Sequence, residues 1–170
     1  MRNLILSWNS YEWIKHCSGL IMKNPLDYQV IIVCNDNEKP VAKLPQLCHD
    51  ARYAQRYYDL ARAGKELGLK KLTSLKYNDG KIDLGRLIIQ LSLVIQTGGI
   101  NTVYYQYNRM LDSILKPIIC NKKYAFGNIS PSIHIELTIE EYQKKLSIYK
   151  NLVGIYEDDG LIPVVEMFMG

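Results

Sequence analysis

A short apolar run, Asn3-Leu4-Ile5-Leu6, leads straight into Ser7-Trp8-Asn9-Ser10-Tyr11-Glu12-Trp13. This turn puts flat rings, hydroxyls, one amide and one carboxylate within seven residues. Trp8 and Tyr11 are suited to stack on a sugar face or a base. Asn9, Ser10, Asn35, Asp36, Gln106 and Asn108 are hydrogen-bonding groups of the kind that read hydroxyls and amides. Arg52 and Arg109 suit planar, bidentate contacts to phosphate or carboxylate. Glu12 opens a helix, where the N-terminal dipole favours a carboxylate for structural reasons alone. The competing reading is that the rings only fill space and that the arginines pair with Asp36 or Glu12.

Other side chains offer other chemistry. His16, Cys17, Cys34, Cys48, His49, Cys120 and His134 are the residues from which a metal site could be assembled. Cys48 and His49 are adjacent, and two neighbours rarely converge on one ion without further partners. Cys34 with His49 or His134, oriented by Asp36, would make a nucleophilic pair. Nothing in the sequence brings those histidines to Cys34. A thiol ending an apolar run is more simply a buried one. Tyr53, Tyr57, Tyr58, Tyr104, Tyr105 and Tyr107 are read as half-buried core or interface residues rather than a nucleic-acid stacking surface.

These groups must be positioned by alternating strands and helices. The pattern predicts strands at 3–7, 29–34, 72–75, 101–105 and 133–137. The Gln29–Cys34 run is apolar beyond its first residue, as in a strand covered on both faces. Ile118-Ile119-Cys120 is read as a further strand. Helices are expected at 11–23, 51–67 (capped by Asp50 and stopped by Gly68), 84–97 (capped by Asp83), 109–116 and from Thr138 to about 152. Thr138-Ile139-Glu140-Glu141 has the form of a capping box. The fold class is therefore α/β: a three-layer, Rossmann-like, mostly parallel sheet with helices on both faces, in one domain over 1–170. Ligands in such sheets sit beyond the carboxyl ends of the strands. That places function in the loops 7–12, 34–40, 77–81 and 105–109.

The order and spacing of these elements resemble the LmbE/PIG-L family of zinc-dependent N-acetylglucosaminyl deacetylases over nearly the whole chain. In that family the first turn reads His-Pro-Asp-Asp-Glu and supplies two zinc ligands and the general base. Here Trp8 stands at the His, Ser10 at the base and Tyr11 at the ligand Asp, and Glu12 alone matches. A helix opening Arg-x-x-Glu and ending Leu-Gly corresponds to Arg52-Tyr53-Ala54-Gln55 and Leu67-Gly68, followed by a strand and Asp79-Gly80. The third zinc ligand, the last residue of His-Pro-Asp-His, falls at Arg109 of Gln106-Tyr107-Asn108-Arg109. Ile135-Glu136-Leu137-Thr138, Lys145 and Tyr149-Lys150-Asn151-Leu152 look like the family's closing stretch.

The resemblance implies the fold, and the substituted residues imply loss of the reaction. Zinc hydrolysis needs about three His, Cys or carboxylate ligands and a base. Trp8, Tyr11 and Arg109 do not supply them, and Ser10 does not replace a carboxylate. The expected protein is catalytically inactive and free of zinc or other cofactors. It would bind a small sugar- or nucleotide-type ligand, or a protein partner, through Trp8, Ser10, Tyr11, Glu12, Asn35, Asp36, Arg52, Gln106, Asn108 and Arg109. Two alternatives stand beside it. One is an active hydrolase with an atypical site, using Asp36 or Asp79. The other is an interaction module with a dead pocket and a protein or homo-oligomer interface.

Composition sets bounds on these readings. In 170 residues, 48% hydrophobic residues support a full core. A net charge of +4 on scattered Lys and Arg argues against nucleic acid. Four cysteines without a CxxC pair, no charged-then-apolar leader and no run of about 18 apolar residues point to reducing cytoplasm and away from a membrane. The wealth of Ile, Lys, Asn and Tyr is associated with AT-rich genomes, as in phages and low-GC bacteria.

Overall fold

A computed structural model describes residues 3–34, 48–78, 81–105, 108–119, 132–156 and 165–169. Strands β1 (Asn3–Ser7), β2 (Tyr28–Cys34), β3 (Leu72–Tyr77), β4 (Thr102–Tyr105), β5 (Ser132–Glu136) and β6 (Val165–Met169) form one sheet in the order β3-β2-β1-β4-β6-β5. The first four are parallel, with Asn3 opposite both Tyr28 and Thr102. β6 is antiparallel to both β4 and β5. The expected mostly parallel α/β sheet is therefore present, with a closing antiparallel strand that the sequence reading did not include.

Helices α1 (Glu12–Lys23), α2 (His49–Glu66) and α5 (Ile139–Tyr156) cover one face. Their side chains pack with Ile5, Tyr28, Val30 and Ile32. Helices α3 (Leu84–Gly98) and α4 (Arg109–Ile119) cover the other, against Leu4, Leu6, Ile31, Val33, Val103 and Tyr105. Alternate residues of β1 and β2 thus face opposite cores, and all seven residues of β2 are buried.

Local chemistry accounts for several boundaries. The Asp83 carboxylate accepts from the Arg86 N–H at 3.1 Å and starts α3. Thr138 Oγ1 accepts from the Glu141 N–H at 3.1 Å while Glu141 Oε1 accepts from the Thr138 N–H at 3.4 Å, a reciprocal capping box. Gly68, with φ 86°, takes the left-handed conformation that lets the chain leave α2.

Two expectations need correction. Asp50 does not cap α2: the helix already begins at His49, the capping position is Cys48 in an extended conformation, and Asp50 lies in the first turn. Ile118 and Ile119 are not a strand but the end of α4, which runs through Pro117. Leu111, Ile114, Leu115 and Ile118 recur at helical spacing and are all buried, so burial of that stripe overrides the β preference of the isoleucines. Cys120 lies outside the described residues, and α5 continues to Tyr156, past the expected 152.

Candidate functional site

The sheet order reverses at β1. From β1 the chain builds outward through β2 and β3, then returns to the other side of β1 as β4. The crevice outside the carboxyl ends of β1 and β4 is where such sheets hold ligands. Two segments meet there: the turn from Ser7 to Trp13, and the start of α4 at Asn108.

The first turn is fastened to itself. Ser7 Oγ donates to the Asn9 carbonyl at 2.7 Å and accepts from the Trp13 N–H at 3.2 Å. Asn9 Oδ1 accepts from the Glu12 N–H at 3.1 Å, and Glu12 Oε2 reaches back to the Trp8 N–H at 3.2 Å. The Trp13 indole N–H donates to the Ser10 carbonyl at 2.9 Å. The Trp8 carbonyl accepts from the Cys34 N–H at 2.8 Å, extending the β1–β2 ladder by one residue. Glu12 therefore has a structural job, closing the turn from the first position of α1.

The rings diverge. Trp8 is half-buried against the α3–α4 core. Tyr11 is 8% exposed and clusters with Tyr149 and Leu146 of α5. Ser10 is 2% exposed. Of the residues in this turn expected to touch a ligand, Trp8 lines the open depression and Ser10 and Tyr11 do not.

Across the crevice, Asn108 caps α4. Its Oδ1 accepts from the Met110 N–H at 2.8 Å and the Leu111 N–H at 3.3 Å. Trp8, Asn108, Arg109, Met110 and Ser113 line a depression of about 530 Å³. The structure thus brings Trp8, Asn108 and Arg109 together. Asn35, Asp36, Gln106 and Asp79 lie outside the described residues. Arg52 is in the first turn of α2, with its side chain outside the description.

Two residues of α2 stand out that were not singled out from sequence. Arg56 is 2% exposed and Asp59 is nearly as buried. Arg56 shares the spacing of Leu60, Ala63 and Leu67, so the signal was an arginine in register with an apolar stripe. A second cavity, of about 230 Å³, lies between α2 and α5 over Ala63, Ile148 and Leu152. Its charged rim is internally satisfied: Arg62 Nε lies 3.5 Å from Glu66, and the Gln55 amide donates to Asp59 at 3.1 Å. The depression at Trp8 is the better candidate.

The described residues at the mouth do not fit a zinc ion. An indole has no metal-binding lone pair, Tyr11 is packed into α5, and Arg109 brings a cation. Among the described residues, no three His, Cys, Asp or Glu side chains converge as a metal site requires. Cys17 and Cys34 are buried. Burial, and then the neighbouring Glu166 carboxylate, push the Cys17 thiol up. Burial, with Lys15 and Lys145 adding to it, lowers His16 to about 4. Cys48 is exposed at the start of α2, and the His49 and His134 side chains and Cys120 are outside the description.

The architecture is that of the LmbE/PIG-L deacetylases. Among solved structures, the chain is similar to an N,N'-diacetylchitobiose deacetylase from Pyrococcus horikoshii, at 14% identity and a TM-score of 0.72 over 92% of this chain and 71% of that one. A deacetylase of teicoplanin biosynthesis superposes at a TM-score of 0.71 and 8% identity, over 99% and 97% of the two chains. The 4-carboxy-2-hydroxymuconate hydratase GalB from Pseudomonas putida superposes at 0.62 and 14% identity, over 99% and 96%. No family model matches the sequence, and no curated protein resembles it significantly. At these identities the likeness concerns the fold. A fold shared by deacetylases and a hydratase does not by itself choose a reaction.

Proposed function

We propose that the chain is a catalytically inactive, metal-free protein of the deacetylase fold that binds a small sugar- or nucleotide-type ligand at the carboxyl ends of β1 and β4. The observation that carries this reading is that Trp8, on a turn whose polar groups are bonded to one another, and Arg109, at the start of α4, line one depression. The half-buried indole offers a flat apolar face for a sugar ring or base, a contact of about 1–3 kcal/mol for a stacked base. The Arg109 guanidinium supplies directed donors, and the Asn108 amide NH2 is available for a hydroxyl or carbonyl while its oxygen caps α4. No carboxylate, imidazole or thiol among the described residues lines this depression, so its described lining supplies no general base.

The test has two parts. Elemental analysis of protein purified without chelators should find zinc well below one equivalent per chain; about one equivalent overturns the metal-free reading. Sugars and nucleotides are then screened by thermal stabilisation. Trp8→Ala and Arg109→Ala should each weaken a stabilising ligand by about tenfold or more. Unchanged affinity in both variants removes the site from this depression.

A further inference from the structure

We infer that the ligand seated against Trp8 carries an oxyanion, a phosphate or carboxylate, and that Arg109 holds it; this rests on the reading of the depression as a ligand site. Arg109 is the sole ionisable side chain among the described residues lining the depression. It is exposed, and no described carboxylate pairs with it. The nearest acid along the same helix face, Asp112, is engaged elsewhere. Its Oδ2 lies 3.1 Å from the Lys116 ammonium, and its Oδ1 accepts from the Tyr105 hydroxyl at 3.4 Å. Three cations elsewhere in the described chain are paired: Lys23 lies 3.2 Å from Glu141, Arg62 lies 3.5 Å from Glu66, and Lys145 lies 2.8 Å from Glu166.

Three backbone N–H groups at the start of α4 are already bonded. The Met110 and Leu111 N–H groups are spent on Asn108 Oδ1, and the Asp112 N–H donates to the Asn108 carbonyl at 2.9 Å. The guanidinium is therefore the group left to meet negative charge. Its backbone is held in place, since Ser113 Oγ donates to the Arg109 carbonyl at 2.9 Å. The other described residues lining the depression, Trp8, Asn108, Met110 and Ser113, are uncharged. A neutral sugar on this surface would use the indole and leave the guanidinium in water. A sugar phosphate or sugar acid would use both, through the paired N–H···O contacts that arginine makes with planar or tetrahedral oxyanions.

The experiment is isothermal titration of the full chain with N-acetylglucosamine, N-acetylglucosamine 1-phosphate and glucuronate, for the wild type, Arg109→Gln and Trp8→Ala. At about 0.05 M salt at least one anionic probe should bind about tenfold or more tighter than the neutral sugar, and the advantage should shrink at about 0.5 M. Whether phosphate or carboxylate is favoured identifies the source of the oxyanion. Arg109→Gln should erase the advantage, bringing the anionic probes down to the affinity of the neutral sugar for the same variant. Equal binding of neutral and anionic probes, unaffected by Arg109→Gln but weakened by Trp8→Ala, overturns the oxyanion and leaves the ligand site standing. If none of the three binds the wild type and no sugar or nucleotide stabilises it in the thermal screen, the ligand-site reading falls, and the inference falls with it.

Discussion

Burial on a helix face moves the titration of an otherwise ordinary side chain in this protein. His16 lies half-buried on α1 beside Lys15 and near Lys145, and burial and then those two cations lower it to about 4. The unfolded chain takes up a proton near pH 6.5 and the folded chain only near 4. Between those values the unfolded state binds more protons, so stability is highest above pH 6.5 and falls as the pH drops toward 4. Allowing for solvent reaching a half-buried ring, the loss is about 1–2 kcal/mol. Urea unfolding across this range should show the slope in the wild type and a flatter profile in His16→Gln. Identical profiles would mean that His16 is protonated in both states alike. The same position-dependence explains why Arg56 was not legible as a core residue. Arginine is ordinarily at the surface, and nothing in its type announces that α2 turns it inward with Leu60 and Leu67.

At the scale of elements, α1, α5 and β6 are joined at one carboxylate. Glu166 of β6 and Lys145 of α5 are both 0% exposed and lie 2.8 Å apart. Glu166 Oε1 also accepts from the Gly19 N–H at 2.7 Å and Ser18 Oγ at 3.2 Å, and Oε2 accepts from the Leu20 N–H at 3.2 Å. Gly19 permits this approach: a Cβ there would meet Glu166 Oε2 at 3.0 Å and run into Leu137 Cδ2. Burial lowers the Lys145 pKa, and Glu166 opposes that shift. Removing one partner strands a buried charge, so Glu166→Gln should cost about 3–5 kcal/mol. The double variant Lys145→Met, Glu166→Gln should recover part of it. Denaturant unfolding measures both, and a double variant no more stable than Glu166→Gln would show that the backbone contacts to α1, not the ion pair, hold β6.

This junction also shows where sequence reading stops. β1 to β4 and the helix stripes are periodic patterns of type and were legible. β6 was not, because Glu166 breaks an apolar run and its partner lies 21 residues away. At Ile118–Ile119 the reason is the opposite: the local β preference of two isoleucines is overridden by a buried helical stripe that reaches back to Leu111. At the site, the turn at Trp8 and the Asn108–Arg109 pair were legible as chemistry. The divergence of Trp8 and Tyr11 to opposite sides was not, since it depends on α5 packing beside α1.

Over the whole molecule, protection should follow the sheet. β2 is central and wholly buried, β1 is paired on both sides, and β3 is an edge whose residues are partly exposed. Hydrogen exchange should therefore be slowest in Val30–Cys34 and Leu4–Leu6 and faster in Leu72–Tyr77. If β3 is instead protected as deeply as β2, increasingly so at higher protein concentration, a second copy is pairing at that edge. No described helix is long and apolar enough to cross a membrane.

The two tryptophans differ in a way that makes the molecule report on itself. Trp13 is sealed in the core, its indole N–H fixed to the Ser10 carbonyl, while Trp8 stands half in water at the mouth of β1. Emission should therefore separate into a blue component indifferent to acrylamide and a redder one that acrylamide quenches. The red component alone belongs to the crevice. Whatever settles there, coloured or colourless, shields that light from the quencher, so occupancy can be followed in the native chain without a label.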